Sequence, residues 1–349
     1  MFNFLCKASK TTDITIGENA VSSLFDILEE ERAKVFIIAD IVPWNLYGKN
    51  IITKLKNKGI PYSVLTISSE DKNKNYTTFA YCISKLTENS IDKNDYIMAF
   101  GGGVTGDVAG YIASVYKRGI KYIFVPTNLL AMADSCIGGK NGLNYGNFKN
   151  IVGTVYQPDL VYVNLEYLAD MPKKLITNGY AEIIKHAIIG DKALFNNVKL
   201  NKFSKIKEDV KASLLVKKKY VEKDEFSFGE RRCLDLGHTV SHAVESKSEY
   251  AVSHGQGVIT GIAINAIASY KNGFCTKAVM DEILGLFNDL GLNYSCPYSV
   301  NDIMPYLIND KKKEGDNFYI PIIEKIGKVR VVNMSQLQLK SFITSGLNS

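Results

Sequence analysis

The chain has only four histidines, His186, His238, His242 and His254, and the last three cluster in Leu236-Gly-His238-Thr-Val-Ser-His242 and Ser253-His254-Gly-Gln256. Imidazoles concentrated in this way suit metal ligation or proton transfer near neutral pH. His238 and His242 are four apart, so on a helix they share a face. Both could bind zinc, although the acid of an H-E-x-x-H motif is absent between them. One ligand plus one substrate-facing imidazole satisfies the spacing equally well. Upstream, Ala181-Glu182-Ile-Ile-Lys185-His186 places a carboxylate and an ammonium three apart among apolar residues. That pair is either a structural ion pair or a metal ligand beside a substrate lysine. One Glu and two His form a catalytic zinc set with a position left open for a substrate oxygen, whose acidity the ion raises.

Cations accompany these groups. Lys217, Arg231, Arg232 and the run Asp310-Lys311-Lys312-Lys313 join Lys185, Lys140 and Lys149 in suggesting a pocket for a substrate with a phosphate and also a carboxylate. Lys140 and Lys149 belong to a dense polar stretch, from Pro126-Thr-Asn through Asp134-Ser-Cys-Ile-Gly-Gly-Lys140 to Asn144 and on to Lys149-Asn150. Polar groups separated by small residues make poor core and poor regular helix, so this stretch is read as a ligand-lining loop. A separate glycine run, Gly101-Gly-Gly-Val-Thr-Gly106-Asp107, follows an apolar strand and precedes a helical pattern. Its backbone can approach an anion closely and offer unpaired N–H groups to a pyrophosphate. Asp40 ends an earlier apolar run, where an acid can accept both hydroxyls of an adenosine ribose; it would repel a 2′-phosphate, which favours NAD over NADP.

Elements must position these groups. Lys34-Val-Phe-Ile-Ile-Ala-Asp40, Tyr62–Ile67, Asp95–Phe100 and Lys121–Val125 are continuous apolar runs, the signature of parallel strands covered on both faces. With segments such as 77–86 as crossover helices, they predict an α/β fold: a Rossmann-like parallel-sheet domain over 1–160. Beyond about Pro158, Gly179–Ile189, Ile206–Val221, His238–Ser246 and Gly255–Tyr270 read as helices, with β-prone segments at Phe318–Ile323 and Lys328–Val332. A mainly helical domain over 161–349 follows, with a cleft between the halves as the expected site.

The composition sets outer bounds. Of 349 residues, 46% are hydrophobic and 22% charged, as in a folded globular protein. Six scattered cysteines without a C-x-x-C pair point to reduced thiols, and neither a signal peptide nor a membrane span is predicted, so the cytoplasm is expected. A formal charge of +6 is modest, and no nucleic-acid-binding motif accompanies it.

Taken together, the glycine run, Tyr116-Lys-Arg118-Gly, Pro126-Thr127, Asp134 to Lys140, Lys149-Asn150, Ala181 to Lys185, Asp224-Glu225, Leu236 to His242, His254-Gly and Asp310-Lys-Lys312 resemble the signatures of 3-dehydroquinate synthase, in order over residues 34–333. The resemblance implies an NAD- and metal-dependent carbon–oxygen lyase, with zinc or cobalt held by Glu182, His238 and His254. It implies NAD contacts from Asp40, Asp71, Lys74, Gly102, Gly103, Val104, Asp107, Thr127 and Asn128, with Lys140 and Lys149 nearby. Substrate contacts would come from Asp134, Lys140, Lys149, Asn150, Lys185, Lys217, Arg231, His242 and Lys312, with Arg118 reaching a partner subunit in a homodimer.

The implied substrate is the anionic sugar phosphate 3-deoxy-D-arabino-heptulosonate 7-phosphate. The implied reaction is transient oxidation, phosphate elimination, reduction and intramolecular aldol closure to 3-dehydroquinate, in the shikimate route. The chain departs from the family pattern at Asp235, commonly Asn, and at Gln256, Asp71 and Asn128. Related cyclases of the 2-deoxy-scyllo-inosose or valiolone type, an NAD-dependent polyol dehydrogenase and a non-catalytic binding protein are the alternatives. The retained Lys140 and Arg231 favour a carboxylated substrate.

Overall fold

The computed structural model describes residues 1–146, 148–249, 251–308, 313–314 and 317–347, with only the backbone at 313–314. The chain divides into two compact units, Met1–Ile176 and Thr177–Ser349. This division lies later than the residue 160 suggested by the change in sequence texture.

Among the described residues the first unit contains nine strands: β1 (Phe2–Lys7), β2 (Thr11–Gly17), β3 (Val35–Asp40), β4 (Tyr62–Ile67), β5 (Tyr96–Gly101), β6 (Lys121–Pro126), β7 (Lys140–Tyr145), β8 (Phe148–Val155) and β9 (Leu160–Asn164). Seven form one sheet in the order β1-β2-β9-β6-β5-β3-β4, parallel except for the antiparallel β1–β2 edge pair. The interior strands β3 and β5 are buried at every position, which explains their unbroken apolar sequences. Helices α1 (Ser22–Glu30), α2 (Ile41–Asn57), α3 (Tyr76–Glu88) and α4 (Gly103–Val115) connect the strands. β9 lies between β2 and β6, so the apolar run after Pro158 belongs to this sheet.

The stretch read as a single loop is more regular. Ala131–Ser135 forms a π-helix, and Lys140 opens β7, which pairs antiparallel with β8 in a two-stranded hairpin. Its polar residues are tolerated because much of the hairpin is exposed.

The second unit contains most of α5 (Lys173–Gly190), then α6 (Lys192–Asn201), α7 (Ile206–Lys223), α8 (His238–Lys247), α9 (His254–Lys271), α10 (Lys277–Asp289), α11 (Val300–Ile308) and α12 (Gln336–Leu347). A three-stranded antiparallel sheet of β10 (Lys313–Glu314), β11 (Asn317–Lys325) and β12 (Lys328–Ser335) accompanies them. Its core includes Val240, Val244, Ile264, Ile303, Phe318 and Phe342. No helix among the described residues is long and apolar enough to cross a membrane.

Close approach of α8 and α9 depends on glycine. Gly237 precedes α8 at φ +78°, and a Cβ on Gly261 would lie 2.0 Å from the Gly237 carbonyl oxygen. Neither backbone can yield without separating the helices that begin at His238 and His254. Gly261→Ala is therefore expected to cost about 1–3 kcal/mol, read as a lower urea midpoint; an unchanged midpoint would mean that the helices slide apart freely.

Candidate functional site

α5 carries an unusually polar group for its surroundings. Every residue from Gly179 to Ile189 is buried, yet the series includes Glu182, Lys185 and His186. Charges removed from water require close partners. Lys185 forms an ion pair with Glu182 Oε2, and His186 Nδ1 lies 2.7 Å from Ser213 Oγ.

The other carboxylate oxygen faces two imidazoles. Glu182 Oε1 lies 3.0 Å from His254 Nε2 and 3.4 Å from His238 Nε2. One ligand atom from each of the three residues falls within 4.8 Å of the others. α8 starts at His238 immediately after the left-handed Gly237, and α9 starts at His254, so two helix beginnings aim their rings at one residue of α5. His242, one turn along α8, has its ring centroid 5.6 Å from that of His238 and 6.5 Å from that of His254. It lies beside the triad.

The far side of each ring is also occupied. His238 Nδ1 faces the Leu236 carbonyl at 3.2 Å, and His254 Nδ1 faces Glu245 Oε1 at 3.0 Å. Both acceptors require a proton on Nδ1, which leaves an Nε2 lone pair directed at a carboxylate. Such an acceptor set is at rest only with a proton or a cation among its members. The residues therefore fit a divalent ion by the chemistry of their donor atoms.

Burial alone would raise the Glu182 pKa, but Lys185 and then His238 hold it well below the usual carboxylate range. Burial and Lys185 push His238 down. For His254, burial acts downward, but hydrogen bonds to Glu182 and Glu245 prevail and raise it to about 10. In the metal-free chain this stability is complete below the unfolded histidine value of about 6.5 and is lost as pH rises toward 10. Urea midpoints of chelator-treated protein should fall over that interval, and His254→Gln should flatten the slope. A midpoint that climbs would contradict the assignment.

Two segments of this chain match family models: the N-terminal part of 3-dehydroquinate synthase over residues 64–178, and its C-terminal part over 179–313. The chain belongs to the 3-dehydroquinate synthase family. The 3-dehydroquinate synthase of Dictyoglomus thermophilum is 33% identical over 97% of this chain and 96% of its own length. That of Saccharolobus solfataricus is 33% identical over 94% of both. Among solved structures, a 2-deoxy-scyllo-inosose synthase complexed with carbaglucose-6-phosphate, NAD+ and Co2+ superposes with TM-score 0.89 at 21% identity, covering 99% of this chain and 100% of its own. A 2-epi-5-epi-valiolone synthase from Streptomyces hygroscopicus with NAD+ and Zn2+ bound gives 0.88 at 23%, covering 99% of both chains. These two likenesses establish the fold.

In this 3-dehydroquinate synthase family member, the glycine run joins β5 to α4, with Gly102 as the N-cap and Gly103 and Val104 in the first turn. A Cβ on Gly102 would lie 2.3 Å from Asn128 Nδ2, so the chain needs glycine where it passes that side chain. Thr127 N donates to Gly101 O, and Asn128 Oδ1 accepts from the N–H of Ala131, the first residue of the π-helix that carries the half-buried Asp134. Asp40 caps α2 through Val42 N.

A second polar cluster gathers several expected cofactor and substrate residues. The buried Lys74 contacts both Asp107 and Asn150. Asp71 lies 3.6 Å from Lys149, and Asn144 bridges to Asp71 Oδ2 at 3.1 Å and to Asn150 N at 3.0 Å. Asn144, at the end of the polar stretch, takes its place in this network through the β7–β8 hairpin.

Elsewhere in the first unit, Lys140 is exposed at the start of β7, and Arg118 is exposed at φ +64°. In the second unit, Lys217 is buried on α7, and the buried Arg231 donates to the Glu225 carbonyl. Asp224 secures that loop by accepting from the backbone N–H of Phe228, Gly229 and Arg231. Asp235 lines a small cavity with Thr239 and Asn265. Lys312 lies outside the described residues.

Proposed function

We propose that this chain is a cytoplasmic 3-dehydroquinate synthase converting 3-deoxy-D-arabino-heptulosonate 7-phosphate into 3-dehydroquinate and phosphate. The observation that carries the reading is the convergence of Glu182, His238 and His254 around one point, in a chain one-third identical to 3-dehydroquinate synthases over nearly its whole length. A zinc or cobalt ion and NAD, when bound, supply Lewis acidity and a reversible hydride acceptor.

Glu182, His238 and His254 hold the ion. Asp40, Asp71, Lys74, Gly102, Gly103, Val104, Asp107, Thr127 and Asn128 bind NAD, with Lys140 and Lys149 serving both nucleotide and substrate. Asp40 accepts from the adenosine ribose, and the α4 N-terminus receives the pyrophosphate. His242, beside the triad, moves the proton of the C5 hydroxyl in its neutral form.

Arg231 receives the substrate carboxylate with its planar fork, held in place by the Asp224 loop. Lys185 and Lys217, with Asp134, Asn150 and Lys312, orient the polyol and phosphate so that the reacting carbons are fixed. Arg118 serves the phosphate pocket of a second copy in a homodimer.

The test is a phosphate-release assay with product identification, using the heptulosonate phosphate beside hexose and heptose phosphates that lack a carboxylate. Release with the first alone, without net NADH, is expected. Turnover of an uncarboxylated sugar phosphate would assign a different cyclase, and net NADH from a diol a polyol dehydrogenase.

A further inference from the structure

Glu245 lies outside every motif that drew attention in the sequence, yet it is a buried carboxylate in the last turn of α8, 4% exposed. Negative charge there opposes the helix dipole, and burial compounds the cost. Specific contacts must offset both. Its Oε1 lies 3.0 Å from His254 Nδ1 and accepts a hydrogen bond from Ser241 Oγ, one turn earlier, at 2.7 Å. Ser241 is fully buried, and a Cβ on Gly257 would come within 2.5 Å of its hydroxyl oxygen, so glycine on α9 leaves the serine its room.

We propose that Glu245 is a positioning residue for His254, selecting its tautomer and orientation so that Nε2 is the atom presented to a divalent ion. The inference rests on the metal reading above and extends it to a residue that does not touch the ion. A carboxylate can only accept, so Glu245 fixes the proton on Nδ1; Nε2 also faces a carboxylate, Glu182, and is the nitrogen whose proton a divalent ion would replace. His254 occupies the first position of α9, where the backbone alone does not set the ring. The two imidazoles also differ: His238 leans on a neutral carbonyl and His254 on a carboxylate, which makes His254 the stronger donor.

The experiment compares zinc affinities of the full-length wild-type, Glu245→Gln and Glu245→Ala proteins by competition with a chelator, with circular dichroism as the check on folding. Loss of such a partner weakens metal binding about 10- to 100-fold. The alanine variant should show the full loss and the isosteric glutamine a smaller one. A folded Glu245→Ala protein with wild-type zinc affinity overturns the proposal.

Nitrogen-15 NMR of the zinc-loaded wild type does not depend on any variant folding. It should show His254 protonated at Nδ1 and metal-bound at Nε2; the opposite pattern refutes the assignment. A wild-type chain that takes up no zinc fails earlier, overturning the metal reading and this inference with it.

Discussion

His238→Ala is expected to release the divalent ion and to lower phosphate release about a thousandfold. A Lewis-acid contribution of several kcal/mol is at stake, and about 4 kcal/mol corresponds to three orders of magnitude in rate. His238 is the most informative of the three candidate ligands to remove. Among the described residues its Nδ1 faces a neutral backbone carbonyl, so truncation removes no charged contact on that side. Truncating Glu182 would also break its ion pair with Lys185, and truncating His254 would also remove a charged contact of Glu245. Metal content by mass spectrometry and initial rates should fall together, with the fold intact. Undiminished metal occupancy would exclude His238 from the ligand set.

The second large effect is expected at Arg231. This side chain is 2% exposed, and its backbone N–H is anchored by Asp224. Removing one partner of a buried charge pair costs about 2–5 kcal/mol, so Arg231→Ala should reduce kcat/KM for the heptulosonate phosphate by about 30-fold to several thousandfold. Arg231→Lys should fall between, because it keeps the charge but loses the two-pronged geometry. If kcat/KM survives in a folded alanine variant, the carboxylate is held elsewhere.

The sheet was legible where burial is symmetrical. Val35-Phe-Ile-Ile-Ala39 and Tyr96–Phe100 are apolar throughout because both faces of their strands are covered, whereas the edge strand β4, grouped with them in the sequence, is only partly buried and carries Ser63 and Thr66. β1 and β2 escaped notice because their alternating, partly exposed positions mix Thr, Asp and Lys with apolar residues. The β7–β8 hairpin escaped for a related reason, since its exposed polar residues looked like a loop.

At the site, the histidine cluster was visible, but spacing could not choose between His242 and His254 as partners of His238. That choice depends on how α9 packs on α8, which the glycine contacts at 237, 257 and 261 set in three dimensions. Glu245 was hidden for the same reason. Its local signal was a serine four residues earlier, while the imidazole it meets begins a different helix.

The most direct test strips the protein with a chelator, assays phosphate release from the heptulosonate phosphate in the presence of NAD, and then titrates zinc or cobalt back. Activity should vanish with the metal and return in full at one ion per chain. Full turnover by protein shown to be free of metal would contradict the assignment of Glu182, His238 and His254 as the metal centre.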